Sequence, residues 1–271
     1  MKKKFKLGVI GAGFMSTAIV QGIINSNSLE PSEIIVSDVL EQSLEKAKKL
    51  GVNVTLDNAF LVENCEFVLF AVKPQSFNAV VSGLNNAKCN KIISIMAGVK
   101  KSTIKKYFIN SAVARCMPNT PCAIGSGAVG IDVLDFTDQA DKDFISKIFS
   151  SIANVVFVEE SKLNAVTGVS GSSPAYFYLF LKGIVEAGVK NGLTEEEALN
   201  LASATMIGAG KMVLTNKDKS LDELISAVCS KGGTTIEAVK VFNEKNINSI
   251  IDQAIDACIK RSKELENLWK T

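Results

Sequence analysis

No histidine occurs in the 271 residues of this chain. Imidazole is the side chain whose ordinary pKa lies closest to neutrality. Its absence excludes a histidine general base, a Ser-His or Cys-His nucleophile pair, and histidine-ligated zinc or iron. A surplus of charge is also missing, since 30 Lys and Arg stand against 28 Asp and Glu, a net +2. Such a balance provides no general field for gathering phosphate backbones or anionic lipid, so neither a nucleic-acid nor a membrane partner is expected. The six cysteines, Cys65, Cys89, Cys116, Cys122, Cys229 and Cys258, contain no C-x-x-C pair. That spacing speaks against a metal cage or disulfide framework. No metal is expected, and the thiols read as buried and reduced in a cytoplasmic protein.

Long uninterrupted apolar runs are lacking as well. Leu163 to Leu181 carries no formal charge over 19 residues, close to the length that spans a bilayer. Its centre holds Gly168, Ser170, Gly171, Ser172, Ser173 and Pro174, a polar, helix-breaking stretch that suits a buried inter-domain helix pair better than lipid. The opening Met-Lys-Lys-Lys is followed by only a short run before Gly8, Gly11 and Gly13, which is too broken for a secretion signal.

What is present describes a globular enzyme-sized chain. Hydrophobic residues make up 47% and charged residues 21%, and the length suits one large or two ordinary domains. In the first half, short apolar or β-branched runs at Phe5–Ile10, Ile34–Ser37, Val52–Thr55, Glu66–Val72, Lys91–Met96 and Ala112–Cys116 alternate with helix-like segments. Those segments include Met15–Ser26, Leu40–Leu50 and Thr103–Phe108. Continuous apolar runs suit strands buried on both faces of a parallel sheet, and the alternation predicts βαβ units. Ala128–Asp132 and Val155–Val158, bracketing a helix at Asp138–Ile152, are expected to complete the sheet at one edge.

Gly8-Val-Ile-Gly11-Ala-Gly13-Phe-Met-Ser16 follows the first strand and opens the first helix. There Gly11 permits a tight turn, Gly13 lets a pyrophosphate approach the backbone, and the helix N-terminus supplies amide donors. Ser16 holds the third position, usually Gly or Ala, and is small enough for close packing. Asp38 ends the second strand, where an acid accepts from the ribose hydroxyls of NAD and repels the 2′-phosphate of NADP. A solvated turn or N-cap aspartate is the alternative at that position. Ala71 to Gln75, Ala97 to Val99 and Arg115 to Pro121 lie at further strand ends, where ordinary turn chemistry also accounts for their Gly and Pro.

After about Ser161 only helical periods remain. Pro174 suits the first turn of a helix running to Lys190, and Thr194 with Glu197 forms a capping-box pattern before a helix reaching about Leu214. That helix is small-faced, with Ala198, Ala202, Ala204, Gly208, Ala209 and Gly210. Helices at Leu221–Val228 and Thr234–Phe242 flank Gly232-Gly233, and a last one runs Ile247–Leu268. So few helices with apolar residues on several faces are expected to complete their burial in a dimer. The segment from Val228 to Val239 is a glycine-threonine turn opening a helix. Two readings remain open there, a small-carboxylate site on backbone amides and a capped helix with a glycine hinge.

That segment closely resembles the signature of pyrroline-5-carboxylate reductase, and the resemblance covers essentially the whole chain. Gly8-x-x-Gly11-x-Gly13-x-Met15, Val72-Lys73-Pro74-Gln75, Ala97-Gly98-Val99, Met117-Pro118-Asn119-Thr120-Pro121, Gly171-Ser172-Ser173-Pro174-Ala175-Tyr176 and Gly232-Gly233-Thr234-Thr235 stand in the family's order. Two departures occur: Lys231 where the family usually has Pro, and Ser173 where it usually has Gly. Lys231 would add a flexible cation beside the carboxylate pocket.

The resemblance implies an α/β chain, with a Rossmann-type doubly wound sheet over 1–162 followed by an all-α helical dimerisation and substrate domain over 163–271. It implies reduction of L-1-pyrroline-5-carboxylate to L-proline by NAD(P)H in a homodimer, with larger assemblies of dimers known in the family. Carried over by position, Gly11, Ala12, Gly13, Phe14 and Met15 would line the pyrophosphate. Ser37, Asp38 and Asn58 would face the adenosine ribose, and Val72, Lys73, Pro74, Ala97 and Asn119 the nicotinamide side. Val228 and the Gly232, Gly233, Thr234 and Thr235 turn would hold the substrate, with the Thr235 hydroxyl as the catalytic group near the ring nitrogen. The family mostly prefers NADPH, whereas Asp38 suggests NADH.

The chemistry suits a chain without histidine. A cyclic imine takes its proton from water near neutrality, so the enzyme needs alignment more than a strong acid. Two alternatives stand beside this reading. A β-hydroxyacid dehydrogenase would place a lysine on the helix after Pro174, where none occurs before Lys182. A non-catalytic NAD(P)-binding redox sensor would bind cofactor without turnover.

Overall fold

In the computed structural model, which describes residues 3–84 and 87–268, the first half alternates strand and helix. The strands are β1 (Phe5–Ile10), β2 (Ile34–Ser37), β3 (Asn53–Thr55), β4 (Cys65–Phe70), β5 (Lys91–Ser94), β6 (Ala112–Pro118), β7 (Gly127–Asp132) and β8 (Ala153–Phe157). Between them run α1 (Phe14–Asn25), α2 (Glu41–Lys49), α3 (Asn58–Asn64), α4 (Phe77–Ser82), α5 (Lys101–Lys105) and α6 (Gln139–Ser150), followed by α7 (Leu163–Val166). Strand order is β3-β2-β1-β4-β5-β6-β7-β8, and every neighbouring pair is parallel except β6 with β7. The expected edge pair β7 and β8 does close one side. The expected helix at Thr103–Phe108 is α5, shifted toward the loop after β5. The short helices α3 and α4 carry too few turns for a periodic signal and were not anticipated.

Side-chain alternation explains why the sheet needs helices on both faces. Phe67 and Leu69 of β4 join one apolar cluster with Leu7, Val9, Ile19, Ile23, Ile148 and Phe149. Their neighbours Val68 and Phe70 join the opposite cluster with Leu61, Phe77, Val80 and Ile104. Each such fully buried side chain contributes roughly 1.5–3 kcal/mol by leaving water. Gly8 sits where an added Cβ would run into Leu61 and Cys65, so its place in the glycine series serves helix packing rather than a ligand. Four cysteines are buried, but Cys229 and Cys258 are only half-buried, a correction to the expectation that all six lie in the interior. Burial pushes the Cys65 thiol up to about 12 and the Cys89 thiol up to about 11, so both stay protonated.

Contacts divide the chain into two compact units, Met1–Ser172 with Cys258–Thr271, and Ser173–Ala257. The division falls later than the change of sequence period near 162, and the chain returns to the first unit at its end. The second unit holds α8 (Ser173–Lys190), α9 (Glu195–Thr215), α10 (Leu221–Val228) and α11 (Thr234–Glu244), with the start of α12 (Ile247–Asn267). Thr194 caps α9 as expected, its hydroxyl accepting from Glu197 N at 3.2 Å while Glu197 accepts from Thr194 N at 2.8 Å. Gly188 of α8 lets Ala198 of α9 approach, with only 3.1 Å between the alanine Cβ and the place a Cβ would occupy. No helix among the described residues is long and apolar enough to cross a membrane.

Candidate active site

The carboxyl ends of β1, β2, β4, β5 and β6 bring the cofactor residues expected from sequence to one edge of the sheet, where doubly wound folds bind their ligands. Gly11 turns there with φ +103°, and a Cβ would lie 2.8 Å from Ala71 O. Both the dihedral and the space demand glycine. Its N–H donates to Ser37 O at 2.7 Å, and Ala71 N donates to Ile10 O at 2.9 Å, so the turn is sewn to β2 and to the loop after β4.

Gly13 is the N-cap of α1, and nothing lies within 4 Å of the position its Cβ would take. No side chain caps this helix and no acid stands in its first turn. The positive end of the helix dipole is therefore left for an external anion. Ser16 and Thr17 donate to Gly13 O at 2.9 and 2.8 Å, which holds the glycine carbonyl against the helix. Ser16 is buried as a small residue must be, whereas Phe14 is largely exposed.

Asp38 uses both carboxylate oxygens on backbone: Oδ2 accepts from Ala12 N at 2.8 Å and Oδ1 from Leu40 N at 2.9 Å. The acid therefore fastens the fingerprint loop to the end of β2. An ionised carboxylate has further lone-pair directions, so this tie leaves it able to accept from a ribose hydroxyl. Ser37 Oγ donates to Asn58 Oδ1 at 2.6 Å, joining two residues assigned to the same ribose although 21 positions separate them.

On the other side of the edge, Lys73 is exposed beside Val72, and Pro74 opens a 3-10 turn. Asn119 Oδ1 accepts from Ala128 N at 2.9 Å, while its Nδ2 makes only long contacts to Ser170 O and Oγ, 3.4 and 3.5 Å. Its carbonyl is committed to structure, and its amide N–H groups remain the adaptable end. Ser170 lies in a π-helical turn, Thr167–Gly171, a geometry that sequence reading missed and that is often found at functional sites. Gly171 packs close to the Met117 side chain there, and a Cβ would come within 2.7 Å of the methionine methyl.

The residues expected to hold the substrate lie in the second compact unit. Gly232 has φ +72° and Gly233 is the N-cap of α11, donating to Ser230 O at 3.0 Å. No side chain caps α11, and its one early acid, Glu237, pairs with Lys240 at 2.7 Å. Thr235 is half-buried, and Val228 is 66% exposed. This N-terminus resembles that of α1 in presenting amides and no cap. Lys231 is exposed and leaves the amides in place.

Residues 160–265 match the family described as pyrroline-5-carboxylate reductase dimerisation, and residues 6–98 that described as NADP oxidoreductase, coenzyme F420-dependent. A pyrroline-5-carboxylate reductase of Methanosarcina acetivorans is 36% identical over 264 residues, 96% of this chain and 97% of its own. One from Haemophilus influenzae is 35% identical over 267 residues, 97% of this chain and 98% of its own. Among solved structures, a pyrroline-5-carboxylate reductase from Coxiella burnetii superposes with a TM-score of 0.87 at 32% identity, covering 98% of this chain and 99% of that one. A Plasmodium falciparum pyrroline carboxylate reductase with NADP bound gives 0.85 at 26% identity, covering 98% and 100%.

Proposed function

The chain belongs to the pyrroline-5-carboxylate reductase family and reduces the C=N bond of L-1-pyrroline-5-carboxylate with NAD(P)H, and on that premise we propose how its residues divide the work. The observation that carries the cofactor half is the open space at Gly13 above an uncapped, acid-free helix start. A pyrophosphate fits that cradle by shape and charge. Gly11 to Met15 would hold it, Ser37, Asp38 and Asn58 the adenosine ribose, and Val72, Lys73, Pro74, Ala97 and Asn119 the nicotinamide end. The bound dinucleotide supplies hydride.

The chain's own residues hold and orient the imine. The Gly233, Thr234 and Thr235 amides at the start of α11, with Gly232 and Val228 beside them, receive the substrate carboxylate. The Thr235 hydroxyl donates a hydrogen bond to the ring nitrogen, which makes the imine carbon a better hydride acceptor. As hydride reaches the carbon, the nitrogen lone pair takes up a proton supplied by water, so no histidine is required. Thr235→Ala is expected to lower kcat about tenfold or more with cofactor affinity unchanged; equal kcat in the two proteins removes this role.

Asp38 governs the choice between NADH and NADPH by repelling a 2′-phosphate. Asp38→Ser raises the ratio of NADPH to NADH turnover, and an unaltered ratio contradicts the assignment. The helical unit pairs with a second copy to form a homodimer, and six unpaired cysteines suit a cytoplasmic address. One assay tests the activity: NAD(P)H absorbance should fall on adding pyrroline-5-carboxylate, and a 3-hydroxyacid with the oxidised cofactor should give no change. Cofactor binding without turnover of either compound would favour the silent sensor.

A further inference from the structure

The end of α12 is fastened to the sheet unit along one face of the helix. Cys258, Ser262 and Glu266 stand four residues apart, the spacing that stacks side chains on one side. Cys258 Sγ donates to Ser172 Oγ at 3.4 Å, and Ser262 Oγ donates to Asn164 Oδ1 at 2.6 Å. The Glu266 carboxylate pairs with Lys100 Nζ at 3.1 Å and Arg115 Nη1 at 3.6 Å. Glu266 is 7% exposed and Arg115 5%, so both charges have been taken out of water. Desolvation on that scale makes such a pair a poor device for stability alone.

The cluster closes on the loop that follows β5. Gly98 there has φ +73°, and a Cβ would lie 3.2 Å from Leu265 Cβ and 3.4 Å from Glu266 N. Glu160 Oε1 accepts from Lys101 N at 2.8 Å and from Arg115 Nη1 at 3.0 Å. Arg115 thus bridges two carboxylates, one gripping Lys100 and the other the backbone that opens α5. Between Leu265, Glu160 and Glu266 the segment Ala97–Lys101 has little room to shift.

We propose that Arg115 and Glu266 are positioning residues that set the Ala97-Gly98-Val99 loop and, through it, the nicotinamide end of the bound dinucleotide. The proposal rests on the assignment of Ala97 to that end. The adenosine end is assigned to other elements, the turn after β1, the end of β2 and the start of α3. Loosening the bridge should therefore weaken one end of the ligand and spare the other, which a general loss of structure could not do.

The test compares the full-length protein with Glu266→Gln, which keeps the side-chain size, and with Lys100→Met, whose lysine side chain is 42% exposed and tolerant of change. Each is titrated with NADH, NADPH and ADP-ribose, the last lacking nicotinamide. Residues that act on a site through intervening structure modulate its affinity by about two- to thirtyfold; Glu266→Gln is expected to weaken the whole dinucleotides about tenfold and Lys100→Met about threefold. ADP-ribose should bind all three proteins alike. Equal weakening of ADP-ribose and dinucleotide overturns the proposal, as does unchanged affinity for both. If Glu266→Gln does not fold, Lys100→Met decides by the same two readings. The affinity ratio needs no imine, so turnover of pyrroline-5-carboxylate by the parent protein tests the substrate reading separately.

Discussion

The two compact units solve the problem of burial differently. In the sheet unit, β4 and its neighbours send fully buried side chains into apolar clusters on both faces. In the helical unit, α8 buries only Ser173, α9 only Ala198, and α10 and α11 no residue. Large apolar side chains remain exposed there, among them Phe177 at 58%, Leu179 at 73% and Leu201 at 61%. A monomer rarely leaves such surface to water. The contrast teaches that one chain suffices to finish the cofactor half, whereas the helical half is built to be finished by a second copy.

The strongest way to break the self-sufficiency of the sheet unit is to uncover a buried charge. Lys101 Nζ lies 2.9 Å from Asp132 and 3.1 Å from Asp135, and Asp132 Oδ2 is buried with no hydrogen-bond partner among the described residues. Lys101→Ala should cost about 3–5 kcal/mol in chemical denaturation because it strands a buried carboxylate. A loss under about 1 kcal/mol would mean that the pair is no more than a surface contact.

Gly13→Asp sharpens the comparison by separating binding from folding. Its Cβ enters open space while its charge opposes the pyrophosphate, so NAD(P)H affinity should fall about 100-fold with melting nearly unchanged. Unaltered affinity would remove the phosphate from α1. On the helical side, Leu179→Glu substitutes an already exposed residue, and a lone subunit should tolerate it. Sedimentation is expected to show the mutant dissociating at concentrations where the parent stays paired; identical profiles would place the contact elsewhere.

The smallest effect concerns pH. Burial alone would raise the Asp135 carboxyl, but hydrogen bonds from Lys105 and Lys101 outweigh it and hold it below its ordinary value. A depressed carboxylate contributes stability above its unfolded pKa and loses it as pH falls through the folded one. Asp135→Asn should therefore melt below the parent near neutrality, and the gap should close below about pH 4. A gap that persists in acid contradicts the charge-based account.

Period and punctuation made the strands, the glycine turn and the Thr194 cap legible, since each depends on residues close together in sequence. The short α3 and α4 lacked enough turns to show a period. The π-helical turn at Thr167–Gly171 lies against β6 and β7, neighbours that no local pattern reveals. The Arg115 bridge was equally invisible: its carboxylates, Glu160 and Glu266, come from distant segments, and only the fold brings them together. Asp38 was legible as an acid at the end of β2, but its tie to Ala12 N was not. In the second unit the sequence marked the turn Gly232 to Thr235 and its open alternatives, and the family relationship supplied the substrate.

The central claim, that the helical half is completed by a second copy of the chain, is tested most directly by sedimentation equilibrium of the full-length protein at micromolar concentration. The account predicts a mass of twice the subunit or an even multiple of it. A protein that sediments at the mass of one subunit, with its reductase activity intact, would contradict it.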